Sequence, residues 1–244
     1  MTTPVSFSGL RSDAAFLSLE HQLHLSDVVG KHAWHVDIVA PSFTFTGDYP
    51  LSCTAVHFLG TAAPGPRSWL WSWANPSEIA PAATALAEWL RGIGEQHGIA
   101  EFTTPELPLA SLPGASDDPA VATWALVDAA KAASGRWTGY TGDSGGGTRA
   151  AFLIIEHPDF ALPPPFGPRV MRVLQEALDL GITDRRRAVQ SYAAGRGLDI
   201  AWTEGSAALS GPGLSITIDF DALGRIGTIG GKLRPVEKAW WKFW

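Results

Sequence analysis

Over residues 12–28 apolar positions recur at helical spacing: Ala15, Leu19 and Leu23, with Phe16 and Leu17 beside them, until Gly30 acts as a stop. The pattern predicts an amphipathic helix. It then gives way to four strand-like segments, 33–39, 42–46, 51–59 and 68–74, punctuated by Pro, Gly and Asp. Connections this short favour an antiparallel meander, because parallel neighbours need long crossovers. Asn75-Pro76-Ser77-Glu78 reads as a helix start, with Asn at the N-cap, Pro at the first position and Glu able to reach back to a free amide. Ile79, Ala83, Leu86, Leu90 and Ile93 mark the buried face of that helix as far as Gly98. A proline-rich connector, 105–117, leads to a second start at Asp118-Pro119, and Gly135 closes the helix that follows.

Two further strands, 136–141 and 148–156, flank the glycine-rich stretch 142–147. Leu162-Pro163-Pro164-Pro165 is the best candidate boundary, since consecutive prolines neither continue a helix nor sit in a central strand. Helices at 168–180 and 184–194 and strands at 198–203, 207–210, 214–220 and 225–229 follow, with Asp221-Ala222-Leu223-Gly224 as a hairpin loop. The expected class is α+β: an antiparallel meander covered by helices in residues 1–161, then a smaller helix-helix-antiparallel-sheet part in 162–244.

Composition narrows the function classes. Hydrophobic residues make up 45% of the 244 and charged residues 17%, a balance that folds by burying apolar surface. A net charge of −6 provides no footprint for a polyanion, so nucleic acid is not an expected partner; Arg185-Arg186-Arg187 reads as a solvated helix face. Cys53 stands alone, which excludes an internal disulfide and fits a reducing compartment. The opening residues lack the basic-then-apolar pattern of a signal peptide, and no apolar run approaches the ~20 residues needed to span a bilayer. Integral membrane insertion is therefore not expected, and a cytoplasmic protein is.

The most unusual run is Trp69-Leu70-Trp71-Ser72-Trp73-Ala74-Asn75. At strand period Trp69, Trp71, Trp73 and Asn75 share a face. Exposed, that face would stack against sugars or flat ligands; buried, it would be core, with Asn75 serving as the cap of the next helix. Together with His57-Phe58-Leu59-Gly60, the continuation into Pro76, Glu95-Gln96-His97-Gly98-Ile99 and Arg186-Arg187-Ala188-Val189, the run resembles an uncharacterised bacterial family. In that family a tryptophan-alternating strand ending in Ala-Asn precedes a helix. The likeness spans most of the chain, rests on the tryptophan motif, and implies no activity or catalytic residue.

Gly142-Asp143-Ser144-Gly145-Gly146 resembles the nucleophile motif of chymotrypsin-like serine proteases, and Thr54-Ala55-Val56-His57 their histidine motif. In that reading Ser144 attacks an acyl carbon and His57 takes its proton. The helices expected between the two positions argue instead for a hairpin loop, where Asp and Ser favour turns. His35 and Asp37 share a strand face that His57 could join as a third metal ligand, while His21 and His24 share a helix face; structural or solvated histidines explain both groups more simply. No cofactor is expected. The terminal Trp240, Trp241, Phe243 and Trp244, interleaved with lysines, suggest docking on the chain itself, contact with a protein partner, or an interfacial membrane anchor, to which two lysines would add little attraction. The leading expectation is a non-enzymatic binding or protein-interaction module. A serine hydrolase using Ser144 and His57, or a small-ligand binder over Trp69, Trp71 and Trp73, are the alternatives.

Overall fold

Helix α1 (Phe7–Val29) begins where the Ser6 hydroxyl accepts a hydrogen bond from Gly9 N–H, and it ends at Gly30, which adopts a positive φ of 58°. The computed structural model describes residues 5–53, 55–112, 117–155 and 157–233. The aromatic tail with Trp240, Trp241, Phe243 and Trp244 lies outside the described residues.

Among those residues twelve strands form three antiparallel sheets. The first is the meander β1 (His32–Asp37), β2 (Ser42–Gly47) and β3 (Leu51–Cys53). The second gathers β4 (Ala55–Ala63), β5 (Ser68–Trp71), β6 (Glu106–Pro108), β7 (Gly139–Asp143) and β8 (Arg149–Ile155), in the order β6-β5-β4-β8-β7. The third is the meander β9 (Asp199–Trp202), β10 (Ser206–Gly211), β11 (Leu214–Phe220) and β12 (Ile226–Leu233). Between them run α2 (Pro81–His97), the single turn α3 (Ala100–Thr103), α4 (Pro119–Ser134), α5 (Gly167–Glu176) and α6 (Arg185–Arg196). The α+β class with antiparallel sheets is as the sequence predicts. No helix among the described residues is long and apolar enough to cross a membrane.

Four local expectations are corrected. The stretch 51–59 is two strands in different sheets: β4 pairs with β5 on one edge and β8 on the other, so β3 closes on β2 instead. The stretch 68–74 is a strand only to Trp71, after which a 3-10 turn, Ser72–Ala74, carries Trp73 off the face shared by Trp69 and Trp71. The helix start lies not at Asn75 but at Pro81, which takes the first position of α2. Asn75 Oδ1 accepts from Ser77 N–H at 2.9 Å in a local turn, and Ala80 N–H donates to Ile38 O at 2.9 Å, which holds the intervening backbone extended. The connector 105–117 carries β6 and a 3-10 turn, Leu109–Ser111.

Three cores result, and α1 enters each. Phe7 and Leu10 join Trp69, Trp71, Leu90 and Leu126 between the second sheet and α2 and α4. Phe16 and Leu17 join Val173, Tyr192, Ile216 and Ile218 under α5, α6 and the third sheet. Leu25 and Val29 join Phe43, Phe45, Phe58 and Phe152, where the first sheet lies on the second. That last contact is close: Trp34 on β1 lies over Gly142 on β7, where a Cβ would come 2.3 Å from the indole.

Candidate functional site

Helix α4 is built almost wholly of alanine and other apolar residues, capped by Asp118, which accepts from Ala120 N–H at 2.8 Å, and closed by Gly135 in the left-handed region. A helix apolar on nearly every side is a buried helix, so charges within it are forced into the interior. Asp128 and Lys131 are those charges. Across from them α1 supplies Ser18, whose hydroxyl donates to Asp128 Oδ1 at 2.6 Å and accepts from Lys131 Nζ at 2.9 Å. The Lys131 ammonium also sits 5.2 Å from the centre of the Trp124 ring.

Beside this trio α1, α4 and the Leu180-Gly181 loop line an open cavity of about 500 Å³. Its walls are apolar, from Ala15 and Leu19 on α1, Val121, Trp124 and Ala125 on α4, and Leu180. Arg11, Ser18, Gln22 and Asp128 supply its polar atoms. Gln22 Oε1 is buried and meets no hydrogen-bond partner.

Burial sets the electrostatics of the floor. It raises the Asp128 carboxyl, against the opposing pull of Lys131, the Ser18 hydrogen bond and Arg11. It pushes Lys131 down to about 8, against the pull of Asp128, and lowers Arg11, which Asp128 again offsets. Burial thus drives each of these three groups toward its uncharged form, Asp128 and Arg11 on the cavity lining and Lys131 behind it.

A second buried polar set lies on another face of α1. Glu20 Oε2 stands 2.9 Å from Arg196 Nε and accepts from the Tyr192 hydroxyl at 2.8 Å, which joins α1 to α6. His21, stacked on Trp137 at 6.0 Å between ring centres, is held down at about 3 by burial and by the charges of Lys131, Arg196 and His24. It faces a separate cleft of about 370 Å³ with Asp13 and Ser191.

Among the residues singled out by sequence, Trp69 and Trp71 are core, 0% exposed and edge-to-face at 5.4 Å, and Trp71 Nε1 donates to Glu101 O at 3.0 Å. Trp73 is half-buried beneath the Arg91 guanidinium, 4.8 Å from its ring centre. Asn75 serves the local turn described above. Ser144 donates to Thr148 O within the β7–β8 loop. His57 pairs with Leu153, whereas the loop follows Asp143, which pairs with Arg149 opposite Ala62. Five residues of strand, about 16 Å, separate the two ends, so the structure does not bring Ser144 and His57 together. His57 instead lines a cavity of about 300 Å³ with Trp89 and Arg136.

His35 and Asp37 lie on β1 in the first sheet and His57 on β4 in the second; Asp37 Oδ1 accepts from Val39 and Ala40 N–H in a turn. No group of three His, Cys, Asp or Glu among the described residues could hold a metal ion. His24 Nε2 bonds Asp159 O at 2.8 Å. Cys53 is buried, and burial raises its thiol to about 11.

The cavity residues escaped the sequence reading, although one signal was present: Asp128 and Lys131 stand three apart in an alanine-rich helix. Neither a curated protein nor a solved structure matches the chain. A family model described as "Family of unknown function (DUF6882)" matches residues 8–158, more than half of the chain, a span that includes all of α1 but its first residue, α4 and the Arg11, Ser18, Gln22, Asp128 and Lys131 side chains. The chain belongs to this family of unknown function.

Proposed function

We propose that the protein binds a small, largely apolar molecule in the cavity between α1 and α4. The observation that carries this reading is a cavity of about 500 Å³ with apolar walls and a polar floor, within the ~300–1,000 Å³ usual for small-molecule sites. Val121 and Leu180, 42% and 43% exposed, frame its mouth; large apolar side chains left in water around a concavity favour a ligand that covers them.

Binding is favoured over catalysis by the position of Ser18. Its hydroxyl is engaged on both sides, by Asp128 and Lys131. It also lies in the middle of α1, where the backbone N–H groups are consumed in the helix ladder and cannot stabilise an oxyanion.

Prodan, a neutral naphthyl ketone whose emission moves to the blue in apolar surroundings, tests the reading. It is expected to bind the folded protein, and Val121→Trp, which plugs the mouth without touching the core, is expected to weaken binding about tenfold or more. Unshifted emission with the wild-type protein, or equal binding by the plugged variant with an unchanged urea midpoint, overturns it.

A further inference from the structure

Leu162-Pro163-Pro164-Pro165-Phe166 forms an apolar ridge on the surface: Pro163 and Pro164 are exposed, and Phe166 is 52% exposed. Its three prolines have no N–H to give, so a pairing strand finds no donors there. Arg196 Nη2 donates to Pro163 O at 2.7 Å, which ties the ridge to the last residue of α6. Beside it opens the cleft of about 370 Å³, whose apolar lining includes Leu17, Trp137, Leu162 and Ala194. It shares no lining residue with the cavity between α1 and α4. Contiguous apolar surface of this kind marks a contact site.

The place of the ridge in the fold points to its occupant. Asp199, Ser210, Ser215 and Lys232 pair across the third sheet in one row, so β9 begins and β12 finishes at the same end of that sheet. Helix α6 runs into β9 through Gly197 and Leu198, which brings Arg196, and Pro163 with it, to that end. Helix α5 links the same points from the other side. A Cβ on Gly231 would stand 3.2 Å from Met171 Cε, and Met171 follows Phe166 by five residues, about 7.5 Å along the helix. From Leu233, where β12 finishes, Trp240 is seven residues on, a reach of up to ~23–25 Å. Crossing the sheet from β12 to β9 takes only about 14–15 Å.

Other surfaces of the third sheet suit an aromatic segment less well. Its exposed face presents Ala208, Ser215, Thr217 and Asp219, small or polar side chains, and the exposed Leu223 lies in the β11–β12 turn at the opposite end of the sheet. We propose that the segment carrying Trp240, Trp241, Phe243 and Trp244 binds the ridge and cleft of its own chain. Its rings lie against the prolines and Phe166, and one of them is seated in the cleft. Aromatic side chains recognise proline-rich segments in this way, and a large aromatic ring in a pocket is the usual anchor of such a contact.

Photo-crosslinking of the purified full chain tests this. Phe166→p-benzoylphenylalanine keeps an aromatic ring on the ridge, and on illumination it is expected to join a residue between 239 and 244 of the same molecule, located by peptide mapping. Trypsin provides a second measurement. Cleavage after Lys238 is expected to be about tenfold slower in the native chain than in Phe166→Ser, while the urea midpoints of the two agree because the Phe166 ring is half in solvent. No crosslink, crosslinks confined to other parts of the chain, or equal cleavage rates overturn the proposal. A crosslink between two molecules also overturns it and assigns the ridge to contact between copies.

Discussion

Asp128 and Lys131 stand three residues apart on α4, and Ser18 bridges them from α1. In water such a pair would contribute little, but in the interior each charge depends on the other to offset its lost hydration. Removing one partner should therefore be worse than removing both. Lys131→Met is expected to cost about 3–5 kcal/mol by leaving the carboxylate without its ammonium, and Asp128→Leu with Lys131→Met is expected to recover more than half of that loss. Urea unfolding of the two single variants and the double variant gives the coupling directly. Additive losses would mean that the trio is not an interacting unit. The same logic separates Glu20 from an ordinary surface acid: its carboxylate is shared by Arg196 and Tyr192, both on α6, so it acts as a tie between helices 172 residues apart in sequence.

At the level of elements, the legible parts were those with local rules. α4 was readable at both ends, from Asp118-Pro119 to Gly135, and α6 from Asp184, whose side chain accepts from Arg187 N–H. β11 was readable because its residues alternate strictly between buried and exposed. The start of α2 was not. Asn75-Pro76 and Ala80-Pro81 both place proline where a first helical turn accepts it, and only the Ala80–Ile38 hydrogen bond, a tertiary contact, decides between them. The cavity was hidden for a related reason: Ser18 and Asp128 are 110 residues apart, and periodicity does not tell which turn of α1 crosses which turn of α4. Glycine offers a test of how closely elements approach. Gly142→Ala would press its Cβ into the Trp34 indole, which is stacked on Phe43 at 5.7 Å and cannot easily turn aside. A loss of about 1–3 kcal/mol is expected from overpacking. Gly92→Ala, in the open on α2, is expected to gain about 0.5–1 kcal/mol from helix propensity. Thermal or urea midpoints moving in the same direction would contradict this picture of the sheet contact.

For the whole molecule, α1 is the shared member of three cores, and its middle turn belongs to the C-terminal sheet. Phe16 is fully buried and Leu17 nearly so against α5, α6 and β9–β12. Each contributes roughly 1.5–3 kcal/mol by burial. A unit of about 70 residues has rarely more than ~3–5 kcal/mol of net stability, so losing both residues is enough to undo it. Residues 162–233 expressed alone are therefore expected to lack a cooperative urea transition, and addition of a peptide covering residues 5–30 is expected to restore one. Cooperative unfolding of the fragment by itself would show that the C-terminal part needs no help from α1. The arrangement also has a consequence in time. A ribosome making this chain releases the first helix some 160 residues before Tyr192, and at ~5–20 residues per second the newborn helix waits roughly ten to thirty seconds with its Phe16 side uncovered. A helix made well before its partners is thus among the last elements to be completed, and during that interval a chaperone has its clearest target.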